Sequence, residues 1–358
     1  MTIPDSMLAA VFHGPEDLRV ERVAVPEIAP GELLVRVAAC GVCSTDLKKI
    51  RLGLLEPPRI FGHETVGTIV QVGEDVGDWE EGDRVALYQH VPDRKSWYSQ
   101  RALYAQCPQY KKVGTTAGFE PAGGGFAEYV RVLPWVVEDG GVVSIPGDVG
   151  FDEVTFLEPV NTGLKGIRAL NLDEEHVVLV AGMGSVGLIL QQLAIREGAA
   201  VVAADPVASR RALAEELGAM RTIDPKEEDI HAVCRELTDG RGADRAIVAA
   251  LGPGPVRDAL RATRPGASIL LFSQTRRDDE VAVDVGGICL DEKRVIGSYG
   301  ASVDVADEAA EIVFDGEIEL ASLITHRLGL DEAPRAVALA SGPASDVIKV
   351  LLVPDEAE

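Results

Sequence analysis

The chain is poor in aromatic residues, in cysteine and in positive charge, and each shortage narrows what it can be. Aromatics make up only 5% of its 358 residues, yet 46% are hydrophobic. That is the make-up of an ordinary soluble protein whose cores need no covalent staple, and the length is enough for two domains. Five cysteines, at 40, 43, 107, 234 and 289, are odd in number and scattered, which argues against a disulfide framework and fits a reducing compartment. Lysine and arginine number 34 against 58 acidic residues, a formal net charge of −24. Such a surface repels phosphate backbones and anionic lipid heads, so neither nucleic acid nor membrane is expected as a partner. The opening residues Met1 to Asp5 lack the basic start and apolar core of a secretory leader. The longest apolar run, Val177 to Leu190, is broken by glycines and too short to span a bilayer. A cytoplasmic protein is expected.

What is present divides the chain in two. From Leu8 onward, short segments such as Leu33 to Val37, Gly67 to Gly73 and Gly82 to Leu87 alternate between Pro and Gly punctuation, predicting a β-rich, barrel-like domain. A polar and aromatic excursion from Gln89 to Gly118 interrupts it, with Trp97, Tyr98 and Phe119 as candidates to pack or to touch a substrate. Strands then resume to about Pro146, and a helical connection opens at Phe151. The unbroken run His176 to Ala181 predicts a buried strand, followed by a helix from Ser185 to about Glu197 and a second strand, Ala200 to Ala204. Further strands are predicted at Ala243 to Ala250, Ala267 to Ser273, Val281 to Asp284 and Arg294 to Tyr299. This alternation implies a doubly wound parallel sheet, and hence an α/β protein. A helical stretch near Val305 to Phe314 and a closing strand Val347 to Leu352 end the pattern.

Two motifs carry chemistry. Gly182, Gly184, Ser185, Val186 and Gly187 form a Gly-x-Gly-x-x-Gly turn between strand and helix, where glycines let a pyrophosphate approach the helix N-terminus. Asp205 closes the next strand, where a carboxylate accepts bonds from ribose hydroxyls and repels a 2′-phosphate, so NAD is expected over NADP. The bland alternative for Asp205 is a helix cap before Pro206, and Arg210 and Arg211 soften the preference if they reach the ribose. Cys43 and the pair His63-Glu64 supply a thiolate, an imidazole and a carboxylate from one short region, as an open catalytic zinc site requires. Cys43 and His63 are the first two ligands, with either Glu64 or the distant Glu158 as third. Cys40-x-x-Cys43 also has the spacing of a redox pair, but without the setting of a thioredoxin-like unit.

Gly62-His63-Glu64-x-x-Gly67, the segment Gly41-Val42-Cys43-Ser44-Thr45-Asp46, Gly123 to Val130 and Glu158-Pro159-Val160-Asn161-Thr162-Gly163 together resemble the zinc-dependent medium-chain alcohol dehydrogenases, over nearly the full length and nearest the sorbitol and iditol (polyol) branch. The resemblance implies a GroES-like catalytic domain over 1–160, a Rossmann NAD-binding domain over 161–300, and a return to the catalytic domain over 301–358. It gives Thr45 a proton-relay role, Asp46 the task of orienting the ligand imidazole, Lys349 that of a basic partner for Glu64, and Thr162 a place lining the nicotinamide. Lys48 stands where some relatives end the relay with a histidine. Many relatives also close a structural zinc with four cysteines. Here those positions are Asp93, Ser96, Ser99 and Cys107, so one zinc per chain is expected. A homodimer or homotetramer pairing through Arg294 to Tyr299 is implied as well.

The activity expected is hydride transfer from a secondary hydroxyl of a polyol, sugar or cyclitol to NAD. Threonine-type or simple secondary alcohol dehydrogenases are alternatives. A zinc-free quinone reductase relative and a dead scaffold are the remaining rivals.

Overall fold

The computed structural model describes residues 3–88, 90–112, 123–273, 280–342 and 346–354, so Gln89, Gly118 and Phe119 lie outside the described residues. The chain splits into two compact units, one of Met1–Glu158 with Ser302–Glu358 and the other Pro159–Ala301.

The first unit is built mainly on antiparallel pairing, with Ile324–Gly329 and Lys349–Val353 running parallel. A sheet runs in the order Ile324–Gly329, Lys349–Val353, Leu33–Gly41, Glu64–Val72, Arg84–Leu87, Val142–Ser144, with Tyr129–Val132 also against Leu33–Gly41. A smaller sheet pairs Ser6–Gly14 with Asp17–Ala24 and Arg59–Ile60. Leu33, Leu34 and Val35 are fully buried in succession, so the strand has core on both faces. A helix that the strand-rich reading did not foresee, Ser44–Leu52, begins directly after Cys43 and buries Asp46 and Ile50.

The second unit is a six-stranded parallel sheet in the order Arg221–Ile223, Ala200–Ala204, Val177–Ala181, Ala243–Val248, Thr263–Leu271, Arg294–Gly297. Numbered within the unit this is 3-2-1-4-5-6, the doubly wound order of dinucleotide-binding sheets. Its strands Val177–Ala181 and Ala200–Ala204 are continuous apolar runs, as strands buried on both faces require, and Leu179, Val202, Ile223, Ala246 and Ile269 share one core cluster.

One expected strand is corrected. Val281 to Asp284 has no strand pairing, and the helix Val285–Leu290 follows it. Asp284 caps that helix by accepting from the Gly287 N–H at 2.9 Å, and this local bond prevails over the alternation of Val281 and Val283.

Candidate metal centre and nucleotide turn

Strand register gathers the metal donors. Gly41 lies opposite Glu64 and Cys40 opposite Thr65. The first strand therefore exits toward Cys43 at the end where His63 and Glu64 enter the second. On its other side Gly41 faces Leu351 of the closing strand, and the Val42 N–H donates to the Val350 carbonyl at 2.9 Å. One ligand atom each from Cys43, His63 and Glu64 lies within 4.8 Å of the others, and no other such group of three occurs among the described residues. His63 and Glu64 are buried, and Cys43 is half-buried.

Two of the three donors are oriented by a neighbour. The buried Asp46 carboxylate lies 3.0 Å from His63 Nδ1, so Nδ1–H donates to it and Nε2 is the ring atom left for a metal. Burial disfavours the imidazolium, but the Asp46 charge and the Cys43 sulfur outweigh it and raise His63 above its ordinary value. Lys349, also buried, donates from Nζ to the Glu64 carboxylate, with Nζ 5.4 Å from the Phe156 ring centroid. Burial opposes the Lys349 charge, and Glu64 more than restores it. Gly41 leaves room for this pair, since a Cβ there would sit 2.8 Å from Lys349 Cε and displace it. Glu158 stands in the first turn of the helix Leu157–Leu170, outside the three-residue group. The Tyr88 hydroxyl donates to the adjacent Leu157 carbonyl at 3.5 Å. Thr45 is half-buried in the first turn of Ser44–Leu52. A thiolate, imidazole and carboxylate set of this kind fits zinc, and poorly fits hard cations that demand oxygen.

Sequence reasoning missed two neighbours. His90 Nδ1 is 2.9 Å from the Tyr110 carbonyl, the two rings stack at 5.1 Å, and Nε2 is buried without a hydrogen-bond partner. Burial pushes its pKa down to about 3, so the ring is neutral. Lys49, half-buried, is the other. Its signal was present in Lys48-Lys49-Ile50-Arg51, a cationic run in an acidic chain.

In the second unit the strand Val177–Ala181 turns at Gly182, φ +99°, into the helix Ser185–Arg196. Gly184 caps that helix without a side chain to accept its first N–H groups, an arrangement suited to an anion. Ser185, Val186 and Gly187 form its first turn, and a Cβ on Gly187 would strike the Gly182 carbonyl. The buried Asp205 carboxylate accepts from the Met183 N–H at 2.7 Å and from the Val207 N–H at 2.8 Å, so it pins the glycine turn and the tight turn that leads to the next helix, which it does not cap. Arg211 donates to the Asp205 carbonyl at 2.8 Å and pairs with Asp224 at 3.0 Å. Arg210 lies beside it in the helix Ala208–Glu216, and Thr162 lies in Leu157–Leu170. The turn fits a dinucleotide.

The excursion brings Asp93, Ser96, Ser99 and Cys107 together without a metal-type donor set. Asp93 Oδ1 accepts from the Lys95 N–H at 3.0 Å, the Ser96 N–H at 2.9 Å and the Ser99 hydroxyl at 3.2 Å. The Ser96 hydroxyl lies 3.1 Å from that of Ser99, and the Asp93 N–H donates to Cys107 Sγ at 3.5 Å. Two hydroxyls and one thiol do not fit a closed zinc site.

A β-rich unit with a buried S, N, O donor group and a unit with a dinucleotide turn define a two-domain, metal- and nucleotide-dependent dehydrogenase. The family profiles agree. "Alcohol dehydrogenase GroES-like domain" matches residues 29–145 and "Zinc-binding dehydrogenase" matches residues 185–315. The chain is similar to the galactitol 1-phosphate 5-dehydrogenase of Escherichia coli, at 31% identity over 94% of this chain and 97% of the relative. It is also similar to the sorbitol dehydrogenase of Bacillus subtilis, at 27% identity over 99% of each. A protein of Sinorhizobium meliloti assigned as a zinc-binding dehydrogenase, solved with NADP, superposes with a TM-score of 0.88 at 29% identity, covering 98% of this chain and all of that one. The chain belongs to the zinc-dependent medium-chain alcohol dehydrogenase family, and it is an oxidoreductase of the zinc alcohol and polyol dehydrogenase type.

Proposed function

We propose that this enzyme oxidises a secondary hydroxyl of a polyol, sugar or cyclitol with NAD as hydride acceptor and one zinc ion per chain. The buried group Cys43, His63 and Glu64, within 4.8 Å of one another, carries this reading. Sorbitol and galactitol 1-phosphate as substrates of relatives support the polyol class.

Cys43 and His63 are the fixed ligands, and Glu64 and Glu158 contend for the third place. When bound, the zinc supplies Lewis acidity that lowers the pKa of an alcohol hydroxyl, and the nicotinamide accepts the hydride. The chain's own residues do the rest. Asp46 holds the His63 ring in one tautomer and orientation. Lys349 shares the Glu64 charge, which keeps that carboxylate from collapsing fully onto a cation. Thr45 takes the substrate proton and passes it outward past Lys48. Gly182, Gly184, Ser185, Val186 and Gly187 hold the pyrophosphate, Thr162 lines the nicotinamide, and Asp205 with Arg210 holds the adenosine ribose.

NAD is preferred because Asp205 is fixed by two backbone donors and does not swing away from a 2′-phosphate. Arg211 is engaged elsewhere. The second zinc is absent because the Asp93 group lacks thiolates. We further propose a cytoplasmic homodimer or homotetramer. All five cysteines are free, and the strand Arg294–Gly297 ends its sheet with Val295 exposed.

NADH formation across polyols, cyclitols, sugar phosphates, threonine and secondary alcohols, before and after chelation, tests the reading. Activity on one class that vanishes with the metal and returns with zinc is expected, with NAD favoured over NADP. Undiminished turnover by metal-free protein would sink the mechanism.

A further inference from the structure

Resting on the dehydrogenase reading above, the inference concerns the chemical class of the substrate. The helix Ser44–Leu52 carries Lys48, Lys49 and Arg51 within four positions, in a chain of net charge −24. Helical spacing sets Lys48 and Lys49 at i+3 and i+4 from Thr45, on the side of the helix that the proposed proton relay occupies. Asp46 and Ile50 form the buried side, and the exposed Arg51 points away from Thr45 in register. The helix is tied to the metal centre at its start, since Asp46 binds His63.

Lys49 is the unusual member. Lysine ordinarily extends its ammonium into water along an apolar stem. Here the side chain is half-buried, and it has no hydrogen bond or ion pair among the described residues. Burial pulls its pKa down to about 8, and the attraction of the Asp46 carboxylate and the Cys43 sulfur only partly offsets this. Asp46 is already committed to His63. His90, which feels both His63 and Lys49, is neutral and offers no counter-charge. A cation is therefore held on the Thr45 side of the helix with its charge only partly compensated, and a bound anion completes the compensation.

We infer that the substrate polyol carries an anionic group, a phosphate monoester or a carboxylate, and that Lys49 binds that group beside the reacting hydroxyl. A charge-assisted bond to phosphate or carboxylate is about twice as strong as one to a neutral hydroxyl, so the contact separates charged polyols from neutral ones. The local cluster also solves an encounter problem. The overall field of this chain repels anions, and Lys48 and Lys49 set positive charge against it on the Thr45 side of the helix.

The test uses the full chain loaded with zinc and NAD. Sorbitol is paired with sorbitol 6-phosphate and with gluconate, and erythritol with erythritol 4-phosphate. The anionic member of a pair is expected to show a kcat/KM at least about 10-fold higher, and the phosphate and carboxylate arms identify which anion. Lys49→Met should bring the ratio of anionic to neutral kcat/KM close to one, Lys49→Arg should keep most of it, and the exposed control Arg51→Gln should leave it unchanged. Titration calorimetry of sorbitol 6-phosphate into the NADH-saturated protein, where no hydride can be accepted, gives a readout without turnover, with Kd about 10 to 100-fold weaker in Lys49→Met. Equal turnover of neutral and anionic partners, or a Lys49→Met variant that lowers both alike, overturns the inference while leaving the dehydrogenase reading intact. Lys49-dependent binding in a protein that oxidises none of the polyols supports the anion site and overturns the polyol reading instead.

Discussion

Two clusters in the first unit are both ordered and yet opposite in chemistry. At Cys43, His63 and Glu64 every donor is a metal-type group, and two are backed by a partner, Asp46 for the imidazole and Lys349 for the carboxylate. At Asp93, Ser96, Ser99 and Cys107 a carboxylate oxygen takes three hydrogen bonds at the centre of the turn. In the first cluster the protein holds charges together and leaves the ring nitrogen and sulfur for a cation. In the second an anion organises N–H and O–H donors, inverting the polarity a zinc site needs. Local hydrogen bonds alone therefore suffice to bring the four positions of this lobe together.

The largest effect should separate the two clusters by function. Cys43→Ala or His63→Ala should remove the zinc and lower kcat/KM at least about a thousandfold, since the lost Lewis acidity is worth several kcal/mol. Cys107→Ser should leave zinc content and kcat/KM near those of the parent. Metal analysis with steady-state rates on the same preparations checks both, and zinc lost with Cys107 would erase the contrast.

The next effect is on stability and belongs to the first cluster alone. Lys349 and Glu64 are both buried, at 4% and 2% exposure, and removing one partner strands the other charge. Lys349→Met should destabilise by about 3 to 5 kcal/mol, and adding Glu64→Gln should recover most of it. Denaturant unfolding of the metal-free protein measures this, and additive losses in the double variant would show that the pair is not coupled.

Much of this was legible because it is local in sequence. The glycine turn, its flanking strand and helix, and the Cys43 and His63 segments each declare themselves within a few residues. Asp205 supported two readings, ribose acceptor or cap, and in the structure its carboxylate holds a local turn at Val207 and pins the glycine turn, while the next helix has no side-chain cap. Less legible was what depends on register or on competing local bonds. The helix Ser44–Leu52 was hidden in a strand-rich context, and Val281 to Asp284 alternates like a strand but leads into the Asp284 cap. Lys49 and His90 carry no motif. Their meaning comes from burial and from missing partners, which only the packed structure supplies.

The smallest effect sharpens the comparison through pH. The Ser96 N–H bond, together with those from Lys95 and Ser99, outweighs partial burial and holds Asp93 down to about 2, below the ordinary carboxylate range. A depressed folded-state value means that the stabilisation is present above the unfolded pKa and is lost as pH falls through the folded one. The window therefore runs from about pH 4 down to about pH 2. Asp93 is partly exposed, so water screens the charge and the contribution should be about 1 kcal/mol. Asp93→Asn keeps an acceptor oxygen and removes the ionisation. The stability difference between parent and variant should be constant near neutrality and vanish across that window, by acid and denaturant titration of both. Because the titration cancels every other carboxylate between the two proteins, a difference that persists below pH 2 would show that shape, rather than the anion, orders the lobe.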